Sequence, residues 1–227
     1  MKILQLNKYF YQKGGAETVF FNTISTLENR GHQVIPFALK NKKNKYESYF
    51  VDYPELSESN IWTKITNIPS FIYNRQAAKQ LERLILDKKP DIAHIHLLFN
   101  SLSVSILPVL QKYRIPTVMT VHDYRLICPA YTLTNGKGKI CELCKDRHFI
   151  HCTLNGCSNG NLTNSMLLSL ENSFRSCFTS HLIILTNSFS SASSPKKNIS
   201  NSILDMHQKQ SNYITLPQIY LQESIKK

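Results

Sequence analysis

Apolar and polar positions along the chain change period several times, and the changes mark alternating strands and helices. Residues 2–7 form a short apolar run that reads as a buried strand. From Ala16 to Arg30 the apolar positions Val19, Phe20, Ile24 and Leu27 recur at helical spacing, and Gly31 stands where a helix stop belongs. Residues 33–39 read as a second strand, and Pro36 inside it points to an edge or bulged position. Strand, glycine loop, helix and strand in this order are a βαβ unit.

The same reading continues downstream. Residues 40–60 are polar and predict a loop, and 61–88 are helical with a break near Pro69. Ile92-Ala-His-Ile-His96 is a strand, 102–113 a helix irregular at Pro108, and 117–121 a strand. Residues 122–160 hold most of the cysteines and predict a structured loop, followed by a helix over 162–178 and a strand over 182–185. The alternation predicts an α/β fold: a Rossmann-like parallel sheet with helices on both faces. Beyond Thr186 the pattern fades into a Ser-rich, glycine-free stretch, and periodicity returns only at Tyr213-Ile-Thr-Leu-Pro217.

Composition narrows the class. The 227 residues carry 27 Lys+Arg against 15 Asp+Glu, a net charge of +12, so an acidic partner is expected. Candidates are nucleic acid, an anionic membrane face or a phosphorylated ligand, while simple solvation accounts for a loop such as Lys40-Asn-Lys-Lys-Asn-Lys45. No apolar run approaches the length of a membrane span, and residues 1–7 lack the pattern of a signal peptide. The expected location is cytoplasmic, with reduced thiols.

Three places carry candidate chemistry. Gly14-Gly15-Ala16-Glu17 joins the first strand to the first helix, where backbone N–H groups and the helix dipole favour an anion. It lacks both the dinucleotide and the P-loop fingerprint, and a plain tight turn is the alternative. His96 closes the third strand and His122-Asp123 the fourth, so all three fall on the ligand-binding edge of a parallel sheet. A histidine there orients a hydroxyl or accepts its proton, and Asp123 is placed to fix its tautomer. His94, two residues deeper, reads as structural, and loop anchoring is the alternative for His122.

The third place is the cysteine loop. Cys141, Cys144, Cys152 and Cys157 are spaced Cys-x2-Cys-x7-Cys-x4-Cys, which suits a tetrahedral structural zinc. His148 or His151 is a substitute ligand, and free thiols are the alternative. Four protein ligands leave no open position, so a catalytic metal is not expected.

Together these pieces resemble glycosyltransferase family 4. The resemblance lies in the first strand with Gly14-Gly15-Ala16-Glu17, in Arg30-Gly31-His32, in Pro90-Asp-Ile-Ala-His-Ile-His96, and in Ile115-Pro-Thr-Val-Met-Thr-Val-His-Asp-Tyr-Arg-Leu-Ile-Cys-Pro129. It implies the N-terminal, acceptor-side half of a GT-B fold over residues 1–185, with 131–160 as a Cys-rich insertion and 186–227 as an irregular tail. It implies transfer of a sugar from a nucleotide-sugar to a glycan or lipid-linked acceptor, with no catalytic cofactor. By the same resemblance Gly14, Gly15 and Glu17 line the cleft on the donor phosphates, and His122 with Asp123 sits at the reacting sugar. His96, Tyr124 and Arg125 are implied substrate contacts.

The family's second, donor-binding domain has no counterpart here, so a truncated, split or frameshifted chain is expected, inactive alone. A separately encoded donor-domain fragment is then a possible partner. Residues 61–89 interleave apolar with basic positions, and a shallow contact with the inner membrane face is an alternative to plain core packing. Two other classes compete: a zinc-stabilised nucleic-acid-binding protein, disfavoured because no recognition motif is present, and a non-catalytic interaction module.

Overall fold

The computed structural model describes residues 1–44, 48–53, 66, 68–178 and the backbone of 183–186. It divides the chain into Met1–Ser188 and Phe189–Lys227, and the second unit lies outside the described residues, as do the Ser-rich tail and Tyr213–Pro217. The first unit contains β1 (Lys2–Leu6), α1 (Gly15–Asn29), β2 (Gln33–Phe37), α2 (Ile68–Ile72), α3 (Arg75–Lys88) and β3 (Ile92–Ile95). It continues through α4 (Ile106–Lys112), β4 (Thr117–Val121), α5 (Ile150–Leu154), α6 (Leu162–Ser176) and β5 (Ile183–Thr186).

The five strands form one parallel sheet in the order β2-β1-β3-β4-β5. β2 is an edge strand, which is what Pro36 requires, since it has no N–H to give a second neighbour. α1 leads from β1 outward to β2, and α3 leads back across β1 to β3. Right-handed crossovers then place these helices on opposite faces. The reversal at β1 makes the carboxyl ends of β1 and β3 the switch point of the sheet, the place where open α/β sheets take ligands.

Alternation along the strands separates two environments. On one face Leu4, Leu6, Ile35, Phe37, Ala93, Ile95 and Met119 join Leu81 and Leu84 of α3 and Ile106 and Leu110 of α4 in the main apolar cluster. On the other face a polar row crosses three strands. Gln5 Nε2 meets His94 Nδ1 at 3.2 Å, and His94 Nε2 meets Thr120 Oγ1 at 2.8 Å. His94 is therefore structural, as its depth in the strand implies.

Several boundaries differ from the sequence pattern. The helical stretch breaks at Tyr73-Asn74 rather than at Pro69, which sits harmlessly in the first turn of α2. Asn74 caps α3 by accepting from Ala77 N at 3.0 Å, while its Nδ2 donates to Ser101 O at 2.7 Å. Residues 102–105 are not helical, because Asn100 and Ser103 take positive φ and turn the chain before α4. Residues 61–65, part of the proposed membrane contact, lie outside the described residues.

Candidate functional site

The carboxyl edge of the sheet is built first by Asn7. This fully buried side chain donates to Tyr9 O at 2.8 Å and accepts from Leu97 N at 3.1 Å. It thereby fixes the exits of β1 and β3 next to each other. The chain then passes Lys8, Tyr9 and Lys13 before Gly14 caps α1 in an extended conformation. Neither Gly14 nor Gly15 has a positive φ, and a Cβ on Gly15 would meet no protein atom within 4 Å. The fold itself does not demand glycine at these positions, and the N-terminus of α1, with its free N–H groups and dipole, is unobstructed there.

His96 and His122 meet above the ends of β3 and β4. His96 Nδ1 and His122 Nε2 are 3.0 Å apart with the rings nearly stacked, and His96 is 1% exposed against the edge of Phe20. Burial, aided by His94 and His122, holds His96 down to about 2, and burial also lowers His122, partly offset by Asp123 and Glu17. The pair is thus neutral at neutral pH, with one N–H of the two rings bridging the nitrogens. His122 Nδ1 remains as the ring nitrogen not engaged by His96.

Asp123 does not fix this tautomer. Its Oδ1 accepts from Arg125 N at 2.9 Å, and its Oδ2 lies 3.6 Å from Arg125 Nε. The partner of His122 is His96, because the parallel register sets the ends of β3 and β4 side by side. Tyr124 works through its backbone: its carbonyl accepts from Cys128 N at 2.8 Å and closes the turn after β4. Arg125 covers the Tyr131 ring at 4.7 Å.

Cations surround the mouth of this edge. Burial holds Lys8 below the ordinary lysine value against the pull of Tyr9, and Arg125 and Lys13 add to the lowering. Burial raises the Tyr9 phenol, but Lys8 and Lys13 outweigh it and hold it below its usual value. Lys13 Nζ stands 3.8 Å over the Tyr9 ring. Lys8 thus lies in the field of Lys13 and Arg125, and Lys13, next to the α1 N-terminus, in that of Glu17, so this edge gathers positive charge.

With this geometry in view, residues 13–139 match the family model described as Glycosyltransferase Family 4, more than half of the chain. The chain belongs to glycosyltransferase family 4. It is also 31% identical over 144 residues to an "Uncharacterized 42.6 kDa protein in cps region" of Klebsiella pneumoniae. That alignment covers 57% of this chain and 38% of the relative, so the chain matches well under half of the relative's length. No solved structure gives a significant match.

The family 4 domain carries two features that sequence reasoning missed. The first is a buried ion pair under the loop after β4. Arg175 and Glu171 of α6 are each 2% exposed and 3.6 Å apart. Arg175 Nη2 donates to Arg125 O at 2.7 Å, and the guanidinium lies 4.0 Å over the Phe99 ring. Arg175 therefore ties the loop carrying Asp123 and Arg125 to α6. In sequence the pair looks like an ordinary surface i,i+4 contact, and no signal marks it as buried.

The second feature is Cys128. It joins Cys141, Cys144, Cys152 and Cys157 around one small cavity of about 10 Å³, away from the histidine edge. All are free cysteines, and burial pushes the Cys144 and Cys152 thiols up to about 12. As they stand, no three His, Cys, Asp or Glu side chains among the described residues are grouped closely enough to hold a metal ion. Among those residues no helix is long and apolar enough to cross a membrane.

Proposed function

We propose that this domain forms the acceptor-side wall of a glycosyltransferase cleft used in bacterial surface polysaccharide synthesis. The observation that carries the reading is the convergence of an unobstructed glycine loop, a neutral His96–His122 pair and three cations at one sheet edge. Family membership gives the reaction class, and the relative's "cps region" name supports a capsular or related glycan.

In this reading a nucleotide-sugar presents its diphosphate to the N-terminus of α1, over Gly14 and Gly15. The helix dipole, Lys8 and Lys13 stabilise the charge that grows as the anomeric C–O bond breaks. The new bond forms to a hydroxyl of a glycan or lipid-linked acceptor, whose proton leaves with the nucleoside diphosphate. His122 Nδ1 holds a sugar hydroxyl, while His96 fixes the ring. Asp123 and Arg125 shape the acceptor side. The reaction as read here needs no metal or organic cofactor. A donor-binding domain, in the same or another polypeptide, closes the cleft.

The test is acceptor-dependent release of nucleoside diphosphate from a panel of nucleotide-sugars with lipid-linked acceptors. The chain is assayed alone and with a donor-binding domain supplied. Turnover in either arm, lowered at least tenfold by His122→Ala, is the expected result. No turnover in either arm, together with nucleotide-sugar and acceptor binding that His122→Ala leaves unchanged, would overturn the proposal.

A further inference from the structure

The insertion between β4 and α6 has only a small apolar centre, in which Leu133 and Phe149 are buried along with Cys144 and Cys152. The main core cluster takes no residue from 131–160 among the described residues. Ile140, Leu143, Ile150 and Leu154 of this segment are exposed instead. Its order comes from a short hairpin and from polar ties to α6. The hairpin is closed by the Thr134–Ile140 bridge and the Asn135 N to Lys139 O bond of 2.9 Å. Ser169 Oγ donates to Phe149 O at 2.8 Å, and Ser165 Oγ accepts from Ser158 N at 2.9 Å. A segment of this size with so small an apolar centre normally needs a covalent or metal staple.

Its cysteines are placed for one. Cys128 comes from the turn that leaves the cleft, Cys141 and Cys144 from the end of the hairpin, Cys152 from α5, and Cys157 from the turn after it. These separate stretches of backbone bring five sulfurs to one cavity with room for about one water-sized sphere. We propose that Cys128, Cys141, Cys144 and Cys157 bind a structural zinc ion that fastens the insertion to the loop bearing His122, Asp123 and Arg125.

The choice of four among five follows from their neighbours. Cys144 lies within reach of all four of the others, Cys128, Cys141, Cys152 and Cys157. Cys157 bonds to Cys152 and to the Gly136 backbone, whereas Cys152 also bonds to a side chain outside the group, Ser169 of α6, and is the one left out. Cys128 thus takes the place that sequence spacing gives to Cys152. Four thiolates suit zinc above the harder divalent ions, which prefer oxygen ligands. On binding, four S–H groups lose their protons to solvent and four Zn–S bonds form. As placed, no three of these thiols stand close enough to hold a metal, so binding requires each side chain to turn about its one torsion toward the shared cavity. Lys137, Lys139, Lys145 and Arg147 outnumber Glu142 and Asp146 in this segment, which offsets the double negative charge of a four-thiolate centre.

The site is read by metal analysis of the intact chain purified under reducing conditions without chelator. About one zinc per chain is expected. Cys152→Ser and Cys177→Ser should retain it. Cys128→Ser should weaken zinc affinity at least tenfold. Because Cys144→Ser alters a buried position of the insertion, cobalt replacement on the unaltered chain gives a second reading, through the ultraviolet thiolate-to-cobalt charge-transfer band. A folded, reduced chain with neither bound zinc nor this band would overturn the proposal, as would loss of metal from Cys152→Ser with Cys128→Ser unaffected. These measurements need no glycosyl transfer, so their outcome is independent of the proposed function.

Discussion

Gly15 is the residue at which fold and function make opposite demands. An added Cβ meets nothing and the position opens a helix, so Gly15→Ala should leave stability unchanged or raise it by up to about 1 kcal/mol. The same methyl occupies the space assigned to the diphosphate. Calorimetric titration with a nucleotide-sugar should therefore show at least tenfold weaker binding, while the melting temperature holds or rises. Unchanged affinity would remove the glycine loop from the ligand site.

His94 makes a different test. Burial, with His122 adding, lowers it from 6.5 to about 4. As pH falls through 6.5 the unfolded histidine takes up a proton that the folded one refuses until about 4. Stability is complete above 6.5 and drains away below it, by up to about 1.4 kcal/mol per pH unit. Denaturant titrations between pH 7 and 5 should show His94→Gln with a shallower loss than the parent chain, by about one proton. An identical slope would mean that the histidine is not held neutral.

The histidine edge was legible in the sequence because period two and strand ends fix which residues reach the carboxyl side. The partner of His122 was not. A neighbouring aspartate looked sufficient, but contact across strands depends on register, which only the folded sheet supplies. Lys8, Tyr9 and Lys13 could have been found by the same topological logic, since they lie between the first strand and the glycine loop.

At the scale of elements, α6 reverses the usual amphipathic arrangement. Ser165, Ser169, Glu171, Asn172 and Arg175 are buried, while Met166, at 49%, and Leu170, at 55%, are exposed. Apolar periodicity located this helix correctly and gave no account of its orientation, because its inward partners are the backbone carbonyls and hydroxyls of the insertion. Two substitutions separate the views. Leu170→Lys should change stability by no more than about 0.5 kcal/mol, as for an open surface position. Ser169→Leu should cost about 1–3 kcal/mol, since it forces a larger side chain into the α5–α6 contact and removes the bond to Phe149 O. Chemical denaturation reads both, and the reverse order would mean that the polar face is the outer one.

α2 and α3 teach a related point. A proline inside a helical pattern suggested the break, yet the chain turns at Asn74. The reason is the bonding capacity of that side chain and backbone. Asn74 serves α3 through Ala77 N, and its carbonyl accepts from Ser105 Oγ at 2.6 Å. Such a junction joins two distant segments, and local pattern carries no trace of it.

Across the described domain, stability is unevenly distributed. The sheet and the α3–α4 layer hold the contiguous apolar core, whereas the insertion relies on hairpin, hydroxyl and cysteine contacts. Native-state hydrogen exchange should show the amides of β1, β3 and α3 as the slowest, with residues 131–160 opening at lower free energy. Chelation of bound zinc should speed exchange in the insertion and at Ile127 and Cys128 while leaving β1 and β3 unaffected. Uniform protection would argue for a single cooperative unit and against the staple.

β1 is the first strand made and also an interior strand of the sheet, with β2 on one side and β3 on the other. Its second neighbour does not exist until Ile92–Ile95 has been synthesised. At about 5–20 residues per second, the roughly fifty residues between Phe37 and Ile92 take several seconds to appear. For that interval an early β1–β2 pair presents an apolar, unpaired edge, the kind that a second nascent chain can join. The order of elements that makes β1 the switch point of the sheet thus also sets a waiting time during translation, when a holding chaperone has the most to protect.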